Sequence, residues 1–464
     1  KGPYDRGKGD FYYKRVHDEV SNYKWGEPLP GAQVEDGRLW LYVRKGYEPM
    51  EQATRPVYVD ADAWSVFWDN LQDMVGATWG DLQEQIAEDA THLRLCGQAV
   101  NPYTYNEIMG FEYSDANNAI FGGILDSALD IYDAAPGLPL TFGRTFSGTV
   151  IGRNEASALG YGWRHQWDYR LDRDTENDRI HIIGPVGVRS FDAMQIETDG
   201  VATTPGDTGK LRFETGTWIL EEQNGLSYHF DYLSSAGYYK LTSLADHNGN
   251  LIRFVYDSGR LTTMIHTYQG VLLGDALSIE YDGDLISRVT DSNGRVAEYL
   301  YDAANQHLIQ VKTTDGTTTY TYDTTHTGTA DDRDPRHHAL TEIHYADGTK
   351  REYVYDPNGR VRGIHGDLPN QTVYFNYGAT GELTMRLLGD PLDETDDLVY
   401  KLYADTRGRI CRIEDPLGRI SQVQYDYLGQ LIDQILPNSA RYDYTYDEAG
   451  HLTGSNDPDG NTLG

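Results

Sequence analysis

Tyr442-Asp443-Tyr444-Thr445-Tyr446-Asp447-Glu448-Ala449-Gly450-His451-Leu452, followed by Asp457-Pro458-Asp459-Gly460-Asn461, decides how the chain is read. Tyr442, Tyr444 and Tyr446 alternate, so a strand sets all three rings on one face. Asp447 and Gly450 bracket a four-residue turn. An Asp side chain bonds forward to the backbone, and Gly accepts the positive φ that the exit of the turn demands. Asp457-Pro458-Asp459-Gly460 repeats the device ten residues later. The phrase is strand, turn, strand, turn.

Working outward, the same phrase recurs from about residue 239. Its strand-and-turn half stands at Tyr256-Asp257-Ser258-Gly259-Arg260-Leu261, Tyr281-Asp282, Tyr301-Asp302, Tyr322-Asp323, Tyr355-Asp356-Pro357-Asn358-Gly359-Arg360-Val361 and Tyr425-Asp426. Weaker copies lie at Phe375-Asn376-Tyr377 and Tyr403-Ala404-Asp405. Connector turns are Asp246-His247-Asn248-Gly249-Asn250, Asp291-Ser292-Asn293-Gly294-Arg295 and Asp415-Pro416-Leu417-Gly418-Arg419. From Asp405 the turn aspartates advance by 10, 11, 21 and 10 residues, a period near 21 with a half-period near 10. Such a unit cannot bury its apolar face alone and must stack on its neighbours. Two acidic insertions, Thr324 to His338 and Gly389 to Asp397, interrupt the rhythm and read as surface loops.

Upstream the pattern changes twice. Residues 136–238 keep the two-residue period, through Leu138, Leu140 and Phe142, then Trp163, Trp167, Tyr169 and Leu171, with turns every 8–12 residues. Residues 60–135 carry helical spacing instead. Trp64, Phe67, Trp68 and Leu71 predict a helix over Ala63 to Met74. Leu82, Ile86, Ala90 and Leu93 predict a second over Asp81 to Leu95. Ile120, Ile124, Leu125, Ala128 and Leu129 predict a third over Asn117 to Tyr132. Residues 1–59 are turn-rich, with short alternating runs at Leu39–Val43 and Val57–Val59, and read as a few strands from a small β-sandwich.

The composition agrees. The 464 residues include 36 Tyr and 49 Gly but 6 Met, which suits strands and tight turns. A formal net charge of −33 argues against nucleic acid or an anionic membrane as partner. No run is long and apolar enough to span a bilayer. Cys96 and Cys411 stand far apart and read as two lone buried thiols, although one bridge is arithmetically allowed. The chain starts at Lys1 without Met, and Asn461-Thr462-Leu463-Gly464 barely begins a new strand. The natural protein is therefore expected to continue, or another chain to cover this edge.

The Tyr-Asp-x-x-Gly-Arg-Leu strands joined by Asp-Pro-Leu-Gly-Arg connectors resemble the Rhs, or YD-repeat, proteins, a family that includes the encapsulating subunits of Tc toxins and the teneurins. Pro136-Gly137-Leu138-Pro139-Leu140-Thr141-Phe142-Gly143-Arg144-Thr145-Phe146-Ser147 and Leu159-Gly160-Tyr161-Gly162-Trp163-Arg164-His165-Gln166-Trp167 look like the leader of bacterial members. Phe146 replaces the family's common Tyr. The resemblance covers roughly residues 136–464 and implies a long sheet spiralling into a hollow shell. In toxin members that shell holds a C-terminal effector, released by an aspartyl-protease-like module. The module's Asp-Pro-x-Gly-Leu or Asp-Pro-x-Gly-Trp signature is not found here, so cleavage and toxicity do not carry over.

The candidate sites all have plain structural readings. Asp331, Asp332 and Asp334 offer oxygens of the kind Ca²⁺ takes, but their spacing matches no calcium motif and a solvated loop explains them. The same holds for Asp390, Asp393, Glu394, Asp396 and Asp397. His337 and His338 lack an evident third zinc ligand. The tyrosines could stack on sugars, yet their periodicity fits the wall of a shell better. No hydrolase, zinc-protease or phosphate-loop motif occurs.

The expectation is a mainly β protein: a continuous spiralling antiparallel sheet forming a YD-repeat shell (239–464), after a leader (136–238), a helical plug-like segment (60–135) and a short β-rich segment (1–59). It names no catalytic, cofactor-binding or metal residue and no cofactor. It places the protein outside the cell or on its surface. It takes an encapsulated polypeptide or an adjoining chain as partner, with carbohydrate as the adhesion alternative, and no nucleic acid or membrane insertion.

Overall fold

The computed structural model describes residues 32–35, 38–41, 50–51 and 124–463, apart from 136, 175–177, 205–206, 327–333, 369–370, 379–380, 390–395, 406–408, 427 and 448–449. The first three stretches form a small antiparallel sheet, Ala32–Glu35 with Arg38–Leu41 with Met50–Glu51. The candidate helices over 63–74 and 81–95 lie outside the described residues.

From Lys210 to Leu463 each strand pairs antiparallel with the next in sequence. The sheet is mainly β, continuous and not closed into a barrel. It curls. The side-chain amide of Gln223 donates to the carbonyl of Gly450, so a turn near the start of the array meets one near its end.

The repeating phrase has a fixed build. The carboxylate of Asp356 accepts the backbone N–H of Arg360 at 2.9 Å and its Nε at 2.9 Å. Asp291 with Arg295, Asp405 with Arg409 and Asp415 with Arg419 do the same. Asp447 takes the backbone N–H and Nδ1 of His451, while Gly450 adopts φ 85°. Just before the tyrosine a β-bulge breaks the register, as between Val354 and Tyr355 or Thr445 and Tyr446. The bulge bends the strand and increases its twist, which helps a flat ladder curl.

The tyrosines tie successive units together. Tyr256, Tyr281, Tyr301, Tyr322, Tyr355, Tyr377, Tyr425 and Tyr446 donate their hydroxyls to the carbonyls of Leu241, Leu261, Ile286, Leu308, Leu340, Val361, Ile410 and Leu431. The bonds span 2.7–3.1 Å. Ala404 occupies the tyrosine's register in the weak copy, opposite Ile410. Two residues before each ladder tyrosine sits a second inward group, among them Phe254, Tyr299, Tyr320 and Tyr353, all buried. The residue between, such as Val255, Leu300 or Val354, is exposed on the outer face.

The leader departs from expectation. Where helical spacing predicts a helix over Asn117 to Tyr132, the structure has a strand, Ile124–Asp133, paired with Leu140–Ser147, which in turn pairs with Trp163–His165. Two bulges, between Ile124 and Asp126 and between Leu129 and Ile131, break the alternation of this strand. Ile124 and Leu129, which carry the helical spacing, are exposed, while Asp126 and Asp133 are buried, so the apolar residues do not mark the inward face of this strand. The helices among the described residues are short: Val150–Arg153, capped by Thr149, and Ala193–Asp199, capped by Asp192.

Before the array, Arg170–Asp174, Arg179–Gly184 and Gly187–Asp192 form a meander. Arg170 and Leu171 pair with Lys240 and Tyr239, while Ser243–Ala245 of the same strand pair with Leu251–Arg253. The sheet therefore branches at Tyr238–Ala245. Cys411 is buried and disulfide-bonded, against the reading of a lone thiol. Cys96 lies outside the described residues.

Candidate functional site

The inner wall is built by the leader lying against the array. Arg144 and Asp130 form a nearly inaccessible ion pair at 2.9 Å, and Asp130 also accepts the hydroxyl of Tyr299 at 2.9 Å. The guanidinium stacks over Trp163 and Tyr320, 4.6 and 5.0 Å from their ring centres. Burial works to discharge Arg144, and Asp130 outweighs it, so the charge is held more firmly than usual. The indole of Trp163 donates to Tyr322 at 2.7 Å. Arg153, fully buried, donates to the carbonyls of Pro335 and Gly359 at 2.5 Å each and lies over Tyr355. Asp133 receives Arg295 at 2.8 Å and Asn293 at 2.9 Å. Leader and array thus share one core cluster, from Leu125 through Leu383.

A second cluster sits beside it. The ring of Tyr161 stacks on His338 at 3.8 Å. His338 hydrogen-bonds His307 at 2.8 Å, and His307 bonds Asp302 at 2.8 Å. A hydrogen bond between two imidazoles needs one donor and one acceptor, so this chain carries a defined proton arrangement. It joins the leader to two turns of the array.

A cavity of about 230 Å³ opens where the leader crosses the branch of the sheet. Arg164, His165, Trp167, Asp168, Arg170 and Lys240 line it, together with Tyr238, Tyr256 and Tyr281. Arg164 is held by Glu155 at 2.5 Å and Asp168 at 3.0 Å. Burial alone would raise the Asp168 carboxyl. Arg164, then His165, Lys240 and Arg170, override it and lower the pKa to about 2. Burial lowers His165 to about 4, so it is neutral near pH 7.

The residues weighed from sequence fall as follows. Trp163 and Trp167 are core residues, as expected. Tyr322 is buried and Tyr301, Tyr355 and Tyr446 are half-buried, with hydroxyls bonded to the sheet. Residues 327–333 and 390–395 fall outside the description, so the calcium reading of Asp331, Asp332, Asp390, Asp393 and Glu394 does too. Asp334 is taken up by Arg336 and Asp397 by Arg386, each at 2.6 Å. The rings of His337 and His338 lie against each other, tilted by 41°, in a turn rather than on a strand. The sequence reading missed Arg170 and Lys240. They stand 70 positions apart (240 − 170), and only the branch brings them together.

Comparison with known proteins bears on this architecture. Residues 425–462 match the family model described as RHS Repeat. That stretch is an RHS repeat. Residues 117–190, the leader and part of the following meander, match a domain of unknown function, DUF6531. Over 114 residues this chain is 32% identical to the double-stranded DNA deaminase toxin A of Burkholderia cenocepacia (strain H111). That match covers 24% of this chain and 7% of the toxin. Among solved structures, the TcdB2-TccC3 crystal structure aligns at 13% identity and TM-score 0.31, covering 73% of this chain and 22% of that one. The Photorhabdus luminescens Tc holotoxin pore aligns at 12% identity and TM-score 0.25, covering 68% and 22%. The chain thus spans a small part of each relative's length.

Proposed function

We propose that the RHS chain is a wall segment of a hollow shell, belonging to a secreted or surface-held protein that encloses or presents a polypeptide effector. One observation carries this reading. The sheet curls through a full circuit, Gln223 to Gly450, with its tyrosine rows facing inward and the leader lying on the concave side. A wall curled in this way, extended by further turns, would bound an inner volume. The partial match to a toxin supports an effector of that kind as the enclosed part. The bonded Cys411 supports an oxidising compartment, where disulfides persist. In this reading the chain's own residues hold the wall and perform no chemistry.

Limited proteolysis of the natural gene product tests the proposal. An enclosed effector should resist cleavage in the intact shell and become sensitive once the shell is opened by mild denaturant. Equal digestion in both states would discard encapsulation.

A further inference from the structure

Two histidines meet where a small hairpin of the leader, Ala156–Ser157 with Gly160–Tyr161, rests on the array. The backbone N–H of Tyr161 donates to the carbonyl of Gln306 at 2.9 Å, and that of Gly162 to Glu155 at 3.1 Å. The hairpin has no slack there, since a Cβ on Gly160 would lie 2.6 Å from the Gln306 carbonyl oxygen. The ring of Tyr161 stacks on His338, tilted by only 8°. His338 is buried, and its Nδ1 meets Nε2 of His307 at 2.8 Å. Nδ1 of His307 meets the Asp302 carboxylate. The ring of Tyr322 stacks on His307 at 4.6 Å.

The contact between Nε2 of His307 and Nδ1 of His338 has room for one proton. One nitrogen donates it and the other accepts it. A proton on both facing nitrogens sets two N–H donors head to head and breaks the bond. Once parted, each ring can carry its own proton, as histidines do near pH 6–7. The parted state therefore binds more protons than the joined state. Linkage then sets the direction: joining is favoured above that range and loses ground as pH falls through it.

The surroundings do not relieve the clash. Asp302 offers its carboxylate to the opposite nitrogen of His307. Burial works to raise the Asp302 carboxyl, but the Gln306 backbone and the His307 ring outweigh it, so Asp302 stays ionised while the rings titrate. Asp323, which follows the strand Gly316–Tyr322, is taken up by Thr325 and His326. Asp334, in the turn that carries His338, is taken up by Arg336. His337, whose ring lies 3.7 Å from that of His338, can add charge only of the same sign. In the leader, Glu155 is paired with Arg164. The Tyr322 hydroxyl is committed to Trp163 and Leu308.

We propose that the His307–His338 pair is an acid-sensitive latch: it holds the leader hairpin on the array near neutral pH and releases it when both facing nitrogens are protonated. The release is local, and the buried core shared by leader and array stays in place. The latch is independent of any enclosed effector and stands whether or not the shell holds one.

Hydrogen exchange of the whole chain, read by mass spectrometry at about pH 7.5 and about pH 5 and corrected for the intrinsic effect of pH, tests it. Protection of residues 156–162 should fall by about tenfold or more at the lower pH, while that of the strand Ser227–Leu233 holds within about twofold. His338→Phe keeps a ring beneath Tyr161 but removes the shared proton. In that variant the two pH values should give matching protection of 156–162. Equal protection at both pH values in the unaltered chain would overturn the latch. So would a loss shared in full by Ser227–Leu233, the mark of general acid unfolding. A fall retained undiminished in His338→Phe would overturn the role of the pair. The unaltered chain decides the matter even if His338→Phe fails to fold.

Discussion

The indole N–H of Trp163 donates to the hydroxyl of Tyr322 at 2.7 Å, and that hydroxyl donates onward to the carbonyl of Leu308 at 2.7 Å. The pair joins the leader to the array across 159 residues, in a place closed to water. Tyr322→Phe leaves both the indole and the carbonyl without this partner. Each unsatisfied buried group costs about 1–3 kcal/mol. We expect a lower urea midpoint for Tyr322→Phe and for Trp163→Phe, with the double variant losing less than the sum. Strict additivity would show that the two residues do not act through this bond.

Gly162 and Gly216 separate backbone strain from crowding. Both have left-handed backbones, φ 75° and 94°. A Cβ on Gly162 would lie 2.5 Å from the ring of Phe146, whereas one on Gly216 meets nothing within 4 Å. Gly216→Ala should cost only the left-handed penalty, about 1–2 kcal/mol. Gly162→Ala should cost clearly more, read as melting temperature. Equal shifts would mean that the leader yields freely at Phe146.

Acid should weaken the leader's seat in two steps. His165 is held neutral to about pH 4, while its unfolded counterpart takes a proton near pH 6.5. The unfolded state binds more protons between these values, so stability is full above about pH 6.5 and falls as pH drops towards 4. Asp168, lowered to about 2, adds a second loss from roughly pH 3.8 downward. His165→Gln should flatten the first step in a melting-temperature profile against pH. A profile of unchanged slope in that variant would remove His165 from the explanation.

The ladder tyrosines should not be equal. Tyr355 bonds Leu340 at 2.7 Å beneath the leader, with Arg153 over its ring at 5.1 Å. Tyr446 bonds Leu431 at 2.8 Å, outside the shared core cluster. Tyr355→Phe is expected to lower the melting temperature more than Tyr446→Phe, because water can replace the bond at the second site but not at the first. Matching losses would argue that the leader shields nothing.

The array was legible in the sequence because its signals are local. Tyr355-Asp356 to Arg360-Val361 contains its own alternation, its turn residues and even the cation that closes the turn. The leader strand Ile124–Asp133 was not legible, since two bulges break its alternation and it buries Asp126 and Asp133 while exposing Ile124 and Leu129. The cavity was hidden for another reason. No spacing rule links Arg170 to Lys240, and their opposition follows only from a sheet that branches. The turn Asp291–Arg295 was read as a turn, but its second duty, bonding Asp133 of the leader, depends on a tertiary contact.

Every bond of the tyrosine ladder points backward, from a hydroxyl in a later unit to a carbonyl in an earlier one. A chain leaves the ribosome in that same direction. Each emerging hairpin therefore finds its acceptor already in place, and the leader, made first, offers a ready template for the first rungs. The wall can be laid down in the order of its synthesis, one short-range step at a time, without waiting for distant residues to meet.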